Sequence, residues 1–103
     1  MKKSMQIGGW SGKAADGKVV TESLVTIIQY LINNHAEQLP NGMTQFRFLQ
    51  RVAAALDKAE KSQILELEDA DCKMLQDLLE KNIPPRWARS KDITSVVEEF
   101  LSL

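Results

Sequence analysis

Cys72 and His35 are the one cysteine and the one histidine of this 103-residue chain, and together they are its only nucleophile–base pair of the thiol–imidazole kind. Spacing argues against that chemistry. Cys72 falls inside an amphipathic stretch with no glycine-rich elbow to expose it, and His35 lies one turn past Leu31 on the apolar side of another. Both read as core or capping residues, since a free cysteine commonly behaves as a small core hydrophobe. One His and one Cys cannot assemble a structural zinc set. The acids Glu66, Glu68, Asp69 and Asp71 crowd together but lack the glycine and closing glutamate of an EF-hand loop, and capping of a helix start accounts for them. Gly8, Gly9, Gly12 and Lys13 suggest a phosphate loop. The G-x-x-x-x-G-K-[ST] pattern fails twice, because Ile7 stands where its first glycine belongs and Ala14 follows Lys13. The residues therefore predict no catalytic centre, no metal site, no cofactor and no small-molecule substrate.

Contact chemistry is better represented. Residues 1–20 carry Lys2, Lys3, Lys13 and Lys18 against Asp16, whereas residues 63–82 carry six acids against two lysines. The loop after Pro84-Pro85 sets Arg86, Arg89 and Lys91 around Trp87, a combination able to stack on a base or grip phosphate. The plainer reading has Trp87 packing down to anchor the last helix, with the arginines solvated or paired to the acidic segment. Trp10, beside glycines, reads either as an exposed contact anchor or as a lid over the core. Tryptophan and arginine are enriched at interface hot spots, so Trp10, Arg86, Trp87, Arg89 and Lys91 are the candidate partner-binding residues.

Composition bounds the class. A chain of this length reads as one globular domain, 1–103, able to bury a core without disulfides or metal. Hydrophobic residues at 44% and charged residues at 26% argue against disorder, and a net charge of −1 supplies no global pull toward nucleic acid or anionic membrane. The lone cysteine suits a reducing compartment, the amino terminus lacks the apolar run of a secretory signal, and no stretch approaches the ~18 apolar residues of a membrane helix. A cytoplasmic location is expected.

Periodicity then supplies the elements. Residues 3–9 read as a strand returning, through Asp16-Gly17, along Lys18-Val19-Val20. Thr21 reads as the N-cap of a helix carrying Leu24, Ile27, Ile28, Leu31 and Ile32 at helical spacing. A second helix from near Thr44 is expected to turn Phe46, Leu49, Val52, Ala53 and Leu56 inward. Leu65 and Leu67 alternate with Glu66 and Glu68 as in a half-buried strand; the phase then changes, and Met74, Leu75, Leu78 and Leu79 share one face of a third helix. Ser90 caps a fourth, which carries Ile93, Val96, Val97, Phe100 and Leu101. The expected fold is α+β, mainly α: about four amphipathic helices with a small two- or three-stranded antiparallel sheet made of the N-terminal hairpin plus residues 64–68. An all-α alternative stays open, because no Gly or Pro interrupts residues 43–83 and a single helix over 44–82 could pair as a coiled-coil dimer.

The succession IGGWSGKAADGKVVT, ESLVTIIQYLIN, ILELEDADCKMLQDLL and VVEEFLSL resembles small uncharacterised accessory proteins of tailed bacteriophages and prophages. The likeness is carried by the whole pattern and not by a signature motif. It implies a phage gene acting in a bacterial cytoplasm through protein contacts, and it brings no activity, cofactor or functional residue. The expected function is thus a non-enzymatic protein–protein interaction or regulatory factor that binds a host or viral protein or itself as a homo-oligomer. A nucleic-acid-binding accessory protein and a phage structural or assembly component are the alternatives.

Overall fold

The computed structural model describes residues 2–13 and 16–103. Ala14 and Ala15, within the expected hairpin, and the side chain of Lys13, one of the amino-terminal lysines, lie outside them. In chain order the elements are β1 (Lys2–Gln6), β2 (Trp10–Lys13), β3 (Val19–Glu22), α1 (Leu24–His35), α2 (Met43–Ser62), β4 (Ile64–Glu68), α3 (Asp69–Asn82) and α4 (Lys91–Leu101). Short 3-10 turns at Ala36–Gln38 and Pro85–Arg89 link α1 to α2 and α3 to α4. The fold is α+β and mainly α, with four helices and two antiparallel two-stranded sheets among the described residues.

The strands pair differently from the simple hairpin that the sequence suggests. β1 runs against β4, with Met5 opposite Leu65, while β2 runs against β3, with Trp10 opposite Glu22. Burial selects the first pairing: Met5, Leu65 and Leu67 turn to the core, and the alternate residues Ser4, Gln6, Glu66 and Glu68 stay exposed. The Asp16-Gly17 turn does join two strands, with Gly17 at φ +84° and the Lys18 amide donating to Asp16 Oδ1 at 3.0 Å, but the strand it returns from is Trp10–Lys13.

Because β3 continues to Glu22, the cap of α1 falls on Ser23 and not on Thr21. Ser23 Oγ accepts from the Val25 amide, and the Ser23 amide donates to Thr26 Oγ1, each at 3.2 Å, which is a capping box with threonine in the second role. α1 then buries Leu24, Ile27, Ile28 and Leu31 as its spacing predicts. α2 corrects its expected face: Phe46 and Ala53 are exposed, and Phe48, Val52, Leu56 and Ala59 supply the buried stripe. Two apolar stripes interleave on this helix, and contact with the rest of the core decides between them.

The continuous 44–82 helix does not occur. Gln63 adopts φ +65°, its amide bonds back to the Ala59 carbonyl at 2.7 Å, and the chain reverses into β4. This left-handed C-terminal residue performs a glycine's usual task without a glycine. Ser90 caps α4 as expected, accepting from the Ile93 amide at 3.2 Å. Phe48, Phe100, Leu75, Leu79, Leu24 and Ile28 form the centre of the core, where all four helices meet. No helix among the described residues is long and apolar enough to cross a membrane.

Candidate functional site

The expected contact loop is a hydrogen-bonded ledge. Pro84 is buried, the Trp87 amide donates to the Pro84 carbonyl at 3.0 Å, and the Ser90 amide donates to the Trp87 carbonyl at 3.1 Å. The Trp87 ring stands edge-on to Tyr30 at 5.2 Å, and Tyr30 stands edge-on to His35 at 5.8 Å. Such T-shaped pairs fix ring orientation. Trp87 therefore fastens the ledge to α1, half-buried, while Arg86, Arg89 and Lys91 point outward. None of these three cations forms an ion pair among the described residues, so the acidic segment does not neutralise them there.

Trp10 takes the second of its two readings. It is buried, only 9% exposed, and its indole N–H donates to Glu22 Oε2 at 3.0 Å across the β2–β3 pair. The Glu22 carboxylate lies 2.7 Å from where a Cβ on Gly12 would stand, so the absent side chain at Gly12 leaves room for the acceptor. Trp10 is a lid over the core, and of the five candidate contact residues it is the one that is buried.

The reactive residues turn inward. Cys72 is buried, and burial first, with the charge of Asp69 next, pushes its thiol pKa up, away from the thiolate that attack requires. His35 is half-buried, with Nε2 enclosed and unbonded among the described residues. Neither residue lines any of the four main clefts. No group of three or more His, Cys, Asp or Glu among the described residues is gathered as a metal site.

The acidic run has a use that helix capping does not explain. Glu68, the N-cap of α3, makes no capping bond with its side chain. Asp69 meets Lys3 at 3.9 Å, and Lys2 meets Glu66 at 3.3 Å. Asp71, whose side chain is 6% exposed, receives two bonds from Arg51, from Nε at 2.8 Å and from an Nη at 2.9 Å. That fork raises the Arg51 pKa, chiefly through the hydrogen bond to Asp71, and joins α2 to α3 with the geometry guanidinium and carboxylate favour. The sequence held one signal for it. Asp71 sits at i, i+4, i+7 with Leu75 and Leu78, on the apolar stripe, and a carboxylate there needs a partner.

Beside this fork a cleft of about 520 Å³ separates α2 from β4, lined by Arg51, Ala54 and Lys58 on one wall and Glu66 and Glu68 on the other. Elsewhere Met43 and Phe46, 61% and 55% exposed, project from the first turns of α2. Compared with known proteins, the chain matches no family model, no curated protein and no solved structure.

Proposed function

We propose that this chain is a non-enzymatic interaction factor, of the phage accessory kind its sequence resembles, that acts in the bacterial cytoplasm by binding a host or viral protein. The observation that carries the reading is the ledge: Arg86, Arg89 and Lys91 are exposed, without ion-pair partners among the described residues, on a turn held by Trp87 against Tyr30. A preorganised cationic surface loses little entropy on docking and selects an acidic partner face. Its charge is spent on neither the fold nor an internal acid.

Nucleic-acid binding would draw on the amino-terminal lysines as well as the ledge. Lys2 and Lys3 are met by Glu66 and Asp69, so the positive charge of the amino-terminal strand is offset by acids beside it. Protein binding is accordingly the better supported reading. The test is affinity capture from the native host with the wild-type chain and with an Arg86→Glu/Arg89→Glu variant. One captured protein, lost in the variant at unchanged Tm, is the expected outcome. Equal capture by both would reject the ledge as the contact, and a salt-sensitive mobility shift with nucleic acid would favour the alternative.

A further inference from the structure

α1 and α2 meet along a seam whose outer side is open to solvent. Thr26 and Gln29 of α1 share one hollow, of about 340 Å³, with Glu60 of α2 and Gln63. Gln29 and Ile32 share the next, of about 280 Å³, with Leu49, Ala53 and Asp57. The lining advances along α1 as it retreats along α2, and Gln29 belongs to both hollows, so the two are parts of one groove between antiparallel helices. From Leu49 to Gln63 the groove runs roughly 21 Å, at ~1.5 Å per helical residue.

The floor is apolar. Ile32 and Leu49 are half-buried, and Ala53, exposed, keeps the α2 wall low enough to receive a large side chain. Phe46, 55% exposed, shares the α2 face of Leu49 and Ala53 at i, i+3, i+7 and extends it beyond the groove. This is the stripe of α2 that the core does not use, and contiguous apolar surface of that kind marks a contact face where single exposed residues do not. The rim is charged with one sign. Glu22, Asp57 and Glu60 are the charged residues that line the groove, with no Lys, Arg or His among the described residues there. Asp57 and Glu60 are exposed and form no ion pair among the described residues, and Glu22 is met by the Trp10 indole N–H, a neutral donor. The α2 cations nearest in sequence lie off the groove: Lys58 lines the cleft against β4, and Lys61 lines neither hollow.

From this arrangement we infer that the α1–α2 groove docks a basic amphipathic helix of a partner protein, with apolar side chains on Ile32, Leu49, Ala53 and Phe46 and Lys or Arg residues against Asp57 and Glu60. Both walls are helices, whose backbone groups bond internally and offer no edge to an extended segment; a helical occupant arrives with its own backbone satisfied. It lies over the seam as a third helix, ridges into groove, and needs no parting of α1 from α2. Acids of one sign repel nucleic acid and anionic lipid alike. The ledge of a second copy would supply cations, but it is a five-residue turn whose tryptophan is packed on Tyr30, and it has no apolar stripe to lay on the floor. The inference rests on the reading of this chain as a protein-binding factor, and it uses residues distinct from the ledge.

The test is titration of the full chain with the blocked peptide KLAKLLAKLAKLLK, whose leucines share one face when it is helical, followed by amide chemical shifts. Gln29, Ile32, Leu49 and Ala53 should move, and residues 86–91 should not. The acidic counterpart ELAELLAELAELLE should not bind, and neither should a peptide of the basic composition scrambled to remove the apolar face. Asp57→Lys/Glu60→Lys, at two exposed positions, should weaken binding of the basic peptide by about tenfold or more and transfer the preference to the acidic one. Phe46→Ser should weaken it by about fivefold at unchanged Tm. Failure of the basic peptide to bind, shifts confined to another surface, equal binding of the acidic or scrambled peptide, or unchanged affinity in either variant overturns the site. Self-association of the wild type that is lost both in Asp57→Lys/Glu60→Lys and in Arg86→Glu/Arg89→Glu would assign the groove to the ledge of a second copy and overturns it as well. Arg86→Glu/Arg89→Glu should bind the basic peptide as the wild type does, so failure of the ledge and failure of the groove give different results.

Discussion

Two tryptophans, each beside turn formers, do opposite work. Trp10 sits in a four-residue strand, buries its ring, and spends its N–H on the Glu22 carboxylate. Trp87 sits in a 3-10 turn, packs its edge on Tyr30, and leaves its cationic neighbours exposed. In the first corner the aromatic ring and the charge both serve the fold. In the second the ring serves the fold and the charges remain available. Enrichment of a residue type at interfaces thus says little until burial is known, because the same indole is an equally good anchor turned inward.

Substitution separates the two corners, and the largest effect belongs to the buried one. Trp10→Ala is expected to cost about 3–5 kcal/mol in denaturant unfolding, the range for emptying a buried aromatic site. A cost under about 1 kcal/mol would put Trp10 back among the exposed contacts. Glu22→Ala should cost about 1.5–3 kcal/mol by leaving the indole N–H without its charged acceptor. Trp87→Ala should cost less than Trp10→Ala, about 1–2 kcal/mol, because its ring is half-exposed and loses mainly the edge contact with Tyr30; near-ultraviolet circular dichroism should lose the signal of that aromatic pair.

The core beneath both corners supplies a control. Burial raises the Cys72 pKa in the folded state, so the unfolded chain releases the thiol proton first. Stability should be level below the unfolded value of about 8.5 and fall as pH rises above it, with a slope no steeper than one proton allows, about 1.4 kcal/mol per pH unit. Cys72→Ala should remove that slope, and neither tryptophan substitution should. The smallest effect on stability is expected for Arg86→Glu/Arg89→Glu, within about 0.5 kcal/mol, because both side chains are exposed and unpaired among the described residues. A larger loss would mean that the ledge charges belong to the fold after all.

How far the sequence could be read depended on the range of the interaction. α1 and α4 were legible because a single unbroken apolar stripe and a serine cap lie within one segment. Even there the cap of α1 fell two residues late, on Ser23, because the β3 pairing with β2 extends the strand through Glu22. On α2 the stripe containing Phe46 and Ala53 and the stripe containing Phe48 and Ala59 fit helical spacing equally well. The break at Gln63 carried no glycine to announce it. Of the candidate contacts, the ledge residues were marked by their proximity to one another in sequence. The α1–α2 groove was not, since its walls come from two helices whose packing alone brings Ile32 beside Leu49 and Ala53.

By itself, the sequence determined the kinds of element, the α+β balance and the lack of any spacing suited to metal or phosphate chemistry, because periodicity, caps and motifs are local properties of the chain. Only the tertiary structure decided that β1 joins β4, that Arg51 grips Asp71, and that Trp10 turns in while Trp87 carries a cationic ledge. Each of those outcomes follows from burial and hydrogen-bond satisfaction between segments that sequence spacing does not relate.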